Sequence, residues 1–378
     1  MAARCRSVIL SSRISNKNGW LAVTGKQISL SGISKRYGDF VAVGNLSLTI
    51  EPGEFVSFLG PSGCGKTTTL RMIAGFIMPD AGTIKIGDVD VTYLDPNKRD
   101  LSIVFQNYAL WPHMSVAENI GFGPKLAGMS RADIDKRIND ALALTALTGL
   151  GSRFPRQLSG GQQQRVAVAR ALALGRSVLL MDEPLSNLDR KLRVEMRKEL
   201  KELQRRLNIT TVYVTHDQEE ALSMSDRVAV MERGVIAGLA APEELYRSPP
   251  SEFVAAFVGG VNFFNGTLTH LDGDYSTFIT DDGLEFKVAR RDGVSEGPAR
   301  LMARPEWIEL RGPEKIGANT HPVSIDFIEY LGASRKISAT TASGRQLLMQ
   351  ANDTSSTPAR VGDRLSFHID PQNLTVVK

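Results

Sequence analysis

Only two of the 378 residues are cysteine. Cys5 lies near the start and Cys64 inside a glycine-rich loop, so no structural disulfide is expected, which suits a reducing compartment. No apolar run approaches the roughly 20 residues a membrane-crossing helix needs. Excess charge of one sign is also missing, because 45 Lys and Arg face 41 Asp and Glu for a net +4. Without a basic run or an aromatic-basic stripe, nothing points to nucleic acid as a partner. Internal repeats and low-complexity segments are absent as well. Acids are missing from residues 1–26, which carry Arg4, Arg6, Arg13, Lys17 and Lys26. The apolar stretch Ser7-Val8-Ile9-Leu10 is too short for a secretory signal, so a disordered extension is expected, with an organelle-targeting peptide as the alternative.

What remains is a chain longer than one domain usually holds, so two or more are expected. Residues 27–58 alternate like strands and end in Phe55-Val56-Ser57-Phe58-Leu59, which feeds directly into a glycine loop. Thr67 to Phe76 reads as a helix. Residues 84–92 and 101–105 give short strands. Over residues 113–150 the pattern turns helical: Ser130-x-x-Asp133 resembles a capping box, followed by Ile134, Ile138, Ala141 and Leu142 at helical spacing. Val178–Met181 and Thr211–Val214 are wholly apolar strands, as in a sheet covered on both faces. Leu192, Met196, Leu200 and Leu203 form a helix stripe between them. Val228–Met231 and Val235–Gly238 flank Glu232-Arg233-Gly234, a hairpin signature. Near residue 260 glycine, proline and short alternating runs take over. Val323, Ile325 and Phe327 alternate with polar residues, and so do Leu365, Phe367 and Ile369, which suggests a small β-barrel or sandwich.

Three motifs carry chemistry. Gly60-Pro61-Ser62-Gly63-Cys64-Gly65-Lys66-Thr67 fits G-x-x-x-x-G-K-[ST] between a strand and a helix. Its glycines let backbone N–H groups curl around phosphate oxygens, and the helix start favours the same anion. Lys66 supplies a mobile cation for the outer phosphates, and the Thr67 hydroxyl can ligate Mg²⁺. Asp182 ends an apolar strand, where its carboxylate can join the metal shell; Glu183 follows as the candidate base for the attacking water. Gln106, after the strand Ser102–Phe105, can reach both metal and water. His216, after Val212–Thr215, can hydrogen-bond a γ-phosphate. Leu158-Ser159-Gly160-Gly161-Gln162 opens another helix, with Ser159 as cap and open amides as a second anion site. A nucleotide-binding loop functions without such a motif, so its presence suggests that a second copy of the chain completes the site.

These motifs resemble the ATP-binding cassette of ABC transporters, over nearly the whole chain. The glycine loop, with Thr68 following it, resembles Walker A; Val178–Glu183 resembles Walker B; Gln106 resembles the Q-loop glutamine; residues 158–162 resemble the signature motif; and His216 resembles the switch histidine. Ser186-Asn187-Leu188-Asp189 resembles the D-loop, with Asn187 where that family usually has Ala. Tyr37 resembles the aromatic that stacks on adenine. Phe105–His113 resembles the importer subfamily, in which this surface and the helical insertion receive a permease helix; local packing is the alternative for Leu110 and Trp111. Residues 242–246 and 253–259 look like the end of such a cassette, and residues 262–378, with Arg304-Pro305-Glu306, resemble a transport-associated OB-like domain.

The resemblance implies an α/β fold: a P-loop ABC ATPase domain over 27–260 with a helical subdomain at about 113–175, then a small all-β OB-like domain over 261–378. It implies ATP and Mg²⁺ as cofactors. The implied nucleotide contacts are Tyr37, residues 60–68, Ser159, Gly160, Gly161, Gln162 and Asp189. Thr67, Gln106 and Asp182 are implied at the metal, with Glu183, His216, Gln106 and Lys66 in catalysis. It also implies a head-to-tail pair, two transmembrane permease subunits, a periplasmic solute-binding protein acting indirectly, and a place on the cytoplasmic face of a bacterial inner membrane. Importers of this build carry polyamines, ferric iron, sugars, phosphonates or sulfate, and a polyamine or ferric-iron type is the expectation. A soluble ABC ATPase of translation or DNA repair is the alternative, although no long heptad run is present. A P-loop kinase or GTPase would leave residues 158–162 and His216 without a role, and no N-K-x-D stretch stands in the position where one would specify GTP.

Overall fold

The computed structural model describes residues 24–290, 295–313, 317–352 and 358–377. They form two compact units that meet in sequence at Pro242 and Glu243. The basic extension expected over residues 1–26 lies outside the described residues up to residue 23, as does Cys5. Residues 25 and 26 belong to the folded unit instead. Gly25 donates its N–H to the Asn208 carbonyl at 3.1 Å, and Lys26 pairs with Asp100 at 2.8 Å.

In chain order the first unit comprises β1 (Ile28–Tyr37), β2 (Phe40–Ile50), β3 (Phe55–Leu59), α1 (Lys66–Ala74), β4 (Ala81–Ile86), β5 (Val89–Asp90), β6 (Leu101–Val104), α2 (Val116–Leu126), α3 (Arg131–Leu144), α4 (Gly160–Ala173), β7 (Val178–Asp182), α5 (Arg190–Leu207), β8 (Thr210–Thr215), α6 (Gln218–Met224), β9 (Arg227–Glu232) and β10 (Val235–Ala240). An antiparallel sheet runs β2-β1-β4-β5. A second sheet runs β10-β9-β3-β8-β7-β6, parallel from β9 to β6 and closed by an antiparallel edge hairpin. The hairpin turns at Arg233 (φ 45°) and Gly234 (φ 85°), the two left-handed residues a two-residue turn needs.

The central strands read as unbroken apolar runs because they feed two cores at once. Val56, Phe58, Val178, Leu180, Val212 and Val214 face one core, while Phe55, Leu179, Met181 and Tyr213 face the other. Alternate side chains thus leave opposite faces of a sheet covered on both sides. Helix α1 ends at Ala74, short of the expected Phe76, because Gly75 adopts φ 84° and caps the last carbonyls. Strand 84–92 splits into β4 and β5 around Gly87 at φ 58°.

Helices α2, α3 and α4 supply the expected helical insertion. They bury Val116, Ile120, Leu142, Val166 and Ala169 together, while Ala167, Val168, Ala171 and Leu172 of α4 join the core under the main sheet. Helix α4 therefore belongs to both layers. The capping box expected at Ser130 is only half made. Its hydroxyl accepts from Asp133 N–H at 3.2 Å but donates to Asp133 Oδ2 at 2.8 Å, since aspartate is too short to reach the cap's backbone. Full boxes form at Ser115–Glu118 and Ser159–Gln162, where the longer side chains reach.

The second unit holds the helices α7 (Pro242–Arg247) and α8 (Glu252–Val258), followed by β11 (Asn262–Asp272), β12 (Tyr275–Thr280), β13 (Glu285–Ala289), β14 (Gly297–Ala303), β15 (Ile308–Arg311), β16 (Thr320–Tyr330), β17 (Ser334–Thr341), β18 (Gln346–Asn352), β19 (Arg364–Ile369) and β20 (Thr375–Val377). Two five-stranded antiparallel sheets, β13-β12-β11-β14-β20 and β15-β19-β16-β17-β18, share one apolar core that includes Phe264, Phe286, Leu301, Ile337 and Phe367. The two compact units divide at 242/243, beside the sequence expectation of a cassette over 27–260 and a β domain over 261–378. The cause is Arg304, fully buried, whose guanidinium donates to the carbonyls of Tyr246, Ala255, Gly259 and Gly260 at 2.7–3.2 Å and lies 4.2 Å from the Tyr246 ring centre. These helices are thereby tied to β14. Phe327 breaks the alternation read from sequence: Val323 and Ile325 are buried, but a register shift between Ile325 and Phe327 turns Phe327 outward, 60% exposed.

Candidate functional site

Strand β3 delivers the chain into the glycine loop, and the loop's shape explains its glycines. Gly63 and Gly65 take φ 79° and 103°. A Cβ on Gly60 would lie 2.4 Å from the Met231 carbonyl oxygen, and one on Gly65 would lie 2.4 Å from that of Ala42. Backbone of β9 and β2 thus presses against the loop at closest approach. Pro61, Ser62 and Gly63 are exposed at its crest. No side chain caps the start of α1 behind Gly65, so the first-turn N–H groups, those of Thr67 and Thr68 among them, face the loop as anion donors. Lys66 is almost fully buried and reaches back along the loop, donating from Nζ to the carbonyls of Gly60 at 2.7 Å and Pro61 at 2.9 Å. Cys64 lies within the loop but turns inward. The residue is 3% exposed, in the core under the loop, and its N–H donates to the Pro61 carbonyl at 3.4 Å, so alkylation needs the loop to open.

Two carboxylates at the end of β7 take different environments. Asp182 is buried, which pushes its carboxyl above the ordinary range, partly offset by the Thr67 hydroxyl donating at 3.2 Å. The pair presents hard oxygen donors at the foot of the loop. Among the described residues no three His, Cys, Asp or Glu side chains converge as a metal cage, and Mg²⁺ needs none, because it keeps waters and phosphate oxygens as ligands. Glu183 sits one residue on in the left-handed region, φ 45°, with its N–H on the Val214 carbonyl at 3.0 Å and its carbonyl accepting from Ser186 Oγ at 2.9 Å. That backbone swings its carboxylate away from Asp182 and toward two neighbours. Gln106 Nε2 donates to Glu183 Oε2 at 3.2 Å, and His216 Nδ1 lies 3.3 Å from the same oxygen. Gln106 and His216, from just past the ends of β6 and β8, thus converge on one oxygen of Glu183 at the end of β7.

Ser159 caps α4, accepting from Gln162 N–H at 3.4 Å, while Gln162 Oε1 accepts from Ser159 N–H at 3.0 Å. The side chain of Gln162 is therefore engaged in its own helix start. Ser159 and Gly160 are exposed; Gly161 is buried against Leu192, whose Cδ2 would lie 2.9 Å from a Cβ there, and Gly160 faces Leu188 at 3.4 Å. Asp189 caps α5 through Leu192 N–H at 3.0 Å. Among the described residues no hydrogen bond or ion pair joins residues 159–162 to the glycine loop, Asp182 or Glu183. Tyr37 stands half exposed at the β1–β2 hairpin end, with Lys35 Nζ 5.8 Å from its ring centre; Ala42 of the same hairpin is the residue that contacts the loop.

Sequence reasoning missed supporting residues. Asn187 donates to the Gln106 carbonyl at 2.9 Å, tying residues 186–189 to the glutamine's loop; its only signal was its departure from the usual alanine. Arg170 donates to the carbonyls of Tyr108 and Ala109 at 2.8 and 2.7 Å, holding two consecutive left-handed residues at φ 60° and 45°.

Comparison with known proteins places the chain in a family. Residues 43–186 match the family model described as ABC transporter, and residues 301–377 match the TOBE domain. The chain is 50% identical over 312 residues to the Fe(3+) ions import ATP-binding protein FbpC 1 of Rhizobium meliloti, covering 82% of this chain and 87% of that protein. It is 43% identical to the spermidine/putrescine import ATP-binding protein PotA of Rubrobacter xylanophilus, covering 93% of each. Among solved structures, a dimeric post-hydrolysis ATP-binding cassette bound to ADP and Pi is 33% identical with a TM-score of 0.51, covering 57% of this chain and 98% of that one.

Proposed function

The chain belongs to the ATP-binding subunits of ABC importers, ATPases coupled to import, and from that premise we propose that two copies clamp ATP between the glycine loop of one and residues 158–162 of the other. The observation that carries this is the separation within one chain. The loop, Asp182 and Glu183 gather at the central sheet, while the exposed cap Ser159 has no bond to any of them. An anion site without its anion's other contacts on the same chain is what a shared nucleotide requires. The solved relative described as a dimer with ADP and Pi lends support.

In this assignment Tyr37 stacks on adenine, the amides of residues 60–68 and Lys66 hold the phosphates, and Ser159, Gly160, Gly161, Gln162 and Asp189 of the second copy face the γ-phosphate. Thr67, Asp182 and Gln106 fit Mg²⁺, which when bound neutralises charge on the β- and γ-phosphates. The Glu183 carboxylate takes the proton of the attacking water as oxygen bonds to the γ-phosphorus and the bond to ADP breaks. Gln106 and His216, both on Glu183 Oε2, hold that carboxylate in aim, and His216 turns to the γ-phosphate.

A groove of about 440 Å³ beside the glutamine loop, lined by residues such as Phe76, Phe105, Trp111, Phe122, Arg170 and Leu174, would receive a permease helix. Two permease subunits would then carry the pair on the cytoplasmic face of a bacterial inner membrane, fed by a periplasmic solute-binding protein. Ferric iron, a polyamine or a similar small solute is the proposed cargo, after the relatives named for those imports. The deciding experiment uses the full chain. Glu183→Gln should dimerise on adding ATP, and Glu183→Gln with Ser159→Arg should bind ATP yet stay monomeric by size-exclusion chromatography. Dimers of the second variant would overturn the shared site.

A further inference from the structure

Three elements of one chain meet at Arg193. The residue lies on α5, four positions after the cap Asp189. Its Nη2 donates to the Leu188 carbonyl at 3.1 Å, its Nη1 pairs with Asp217 Oδ2 at 3.2 Å, and its Nε lies 3.7 Å from Glu220 Oε1. Glu220 is buried and accepts from the hydroxyls of Tyr213 and Thr215, both at 2.7 Å. The Thr215 hydroxyl in turn accepts from Asp217 N–H at 2.9 Å. His216 is thus held between two residues of one network, and Arg193 anchors that network to Leu188. On the other side, Leu188 and Leu192 are the side chains against which Gly160 and Gly161 rest.

The two fully buried guanidiniums work differently. Arg99 and Arg304 bond only to main-chain carbonyls, as staples of their local fold. Arg193 instead has one hand on carboxylates beside His216 and the other on the carbonyl before Asp189. A planar fork with several donors can hold two loops in fixed relation, which a lysine cannot.

We infer that Arg193 is a positioning residue that locks the His216 loop of one nucleotide site to the Ser159–Asp189 surface the same chain lends to the other, so that the two nucleotides of a pair are turned over in concert. This rests on the two-copy reading above. When His216 moves with its own nucleotide, Arg193 carries the displacement to Leu188 and so to Gly160 and the cap Ser159.

The test is steady-state ATP hydrolysis by the full chain, with melting temperature and ATP affinity at dilute, monomeric concentration measured alongside. Arg193→Gln with Glu220→Gln removes the guanidinium without leaving a buried carboxylate unpaired. The expected result is unchanged monomer affinity, a turnover number lower by about fivefold or more, and a Hill coefficient falling from about 2, the number of sites, to about 1. Arg193→Lys keeps a cation for the carboxylates and should show the same loss of cooperativity at wild-type melting temperature. Wild-type cooperativity in either folded variant would overturn the inference while leaving the shared site intact. A wild-type chain that is itself non-cooperative and turns over as a monomer would instead remove the two-copy reading and this inference with it.

Discussion

Substitution of Glu183 separates the chemistry of its carboxylate from the strain in its backbone. Glutamine keeps the size of the side chain and an acceptor for Gln106 and His216, now 3.2 and 3.3 Å from Oε2, but cannot take a proton from water. Loss of a general base costs about 10²–10⁴ in rate, so Glu183→Gln should bind ATP normally and turn over at about 1% of wild type or less. The backbone gives an independent magnitude. At φ 45° a residue with a Cβ costs about 1–2 kcal/mol relative to right-handed backbone, whereas glycine costs about 0.5–1 kcal/mol in unfolded-state entropy. Glu183→Gly should therefore be more stable than Glu183→Ala by about 0.5–1 kcal/mol, or about 1–4 °C in melting temperature for a unit of this size. Both variants lose the same carboxylate, so their difference isolates the main chain. Single-turnover hydrolysis and thermal unfolding read the two effects. Glutamine turnover above a tenth of wild type would refute the base, and an alanine variant more stable than the glycine one would refute the strained aim.

Gly65→Ala places a Cβ 2.4 Å from the Ala42 carbonyl oxygen at φ 103°; it should cost about 1–3 kcal/mol of stability and at least tenfold in ATP affinity by calorimetry, and wild-type affinity would contradict the close approach. For Asp182, burial pushes the carboxyl pKa of the folded state above its ordinary value, so the fold prefers the protonated form and stability falls as pH rises through the shifted range. Asp182→Asn, neutral throughout, should melt higher than wild type at neutral pH without nucleotide, with the gap closing as pH drops below about 4, and it should lose hydrolysis; a gap that widens in acid would reverse the sign. Cys64, only 3% exposed, should react with maleimide far more slowly than an unfolded thiol and lose ATP binding once modified; rapid labelling that leaves binding intact would show that the thiol is not under the loop.

Much of the site was legible because its chemistry is local. Gly60 to Thr67 needs glycines for left-handed turns and close backbone contact, and those needs fix residue type at fixed spacing. Val178–Met181 and Thr211–Val214 were legible because covering a sheet on both faces requires apolar side chains at every position. Features that depend on distant chain were not. The bulge that turns Phe327 outward arises from pairing with β17, and alternation alone carries no trace of it. The thiol of Cys64 goes to the core because β9 and β2 close over the loop. Arg193 is one of many charged residues on α5, and only the fold brings Leu188, Asp217 and Glu220 to it. The tie of Arg304 to α7 and α8 was illegible for the same reason, since those helices lie far earlier in sequence.

That guanidinium bears on how the protein can be cut. Removing everything after residue 260 would strip α7 and α8 of the group that satisfies their carbonyls and would bare Ala255, fully buried with Met302 and Val377 in the intact chain. Such a fragment would carry a sticky tail, prone to clumping at the concentrations crystallographers use. Severing the chain just ahead of Pro242 keeps both helices with the unit that holds Arg304.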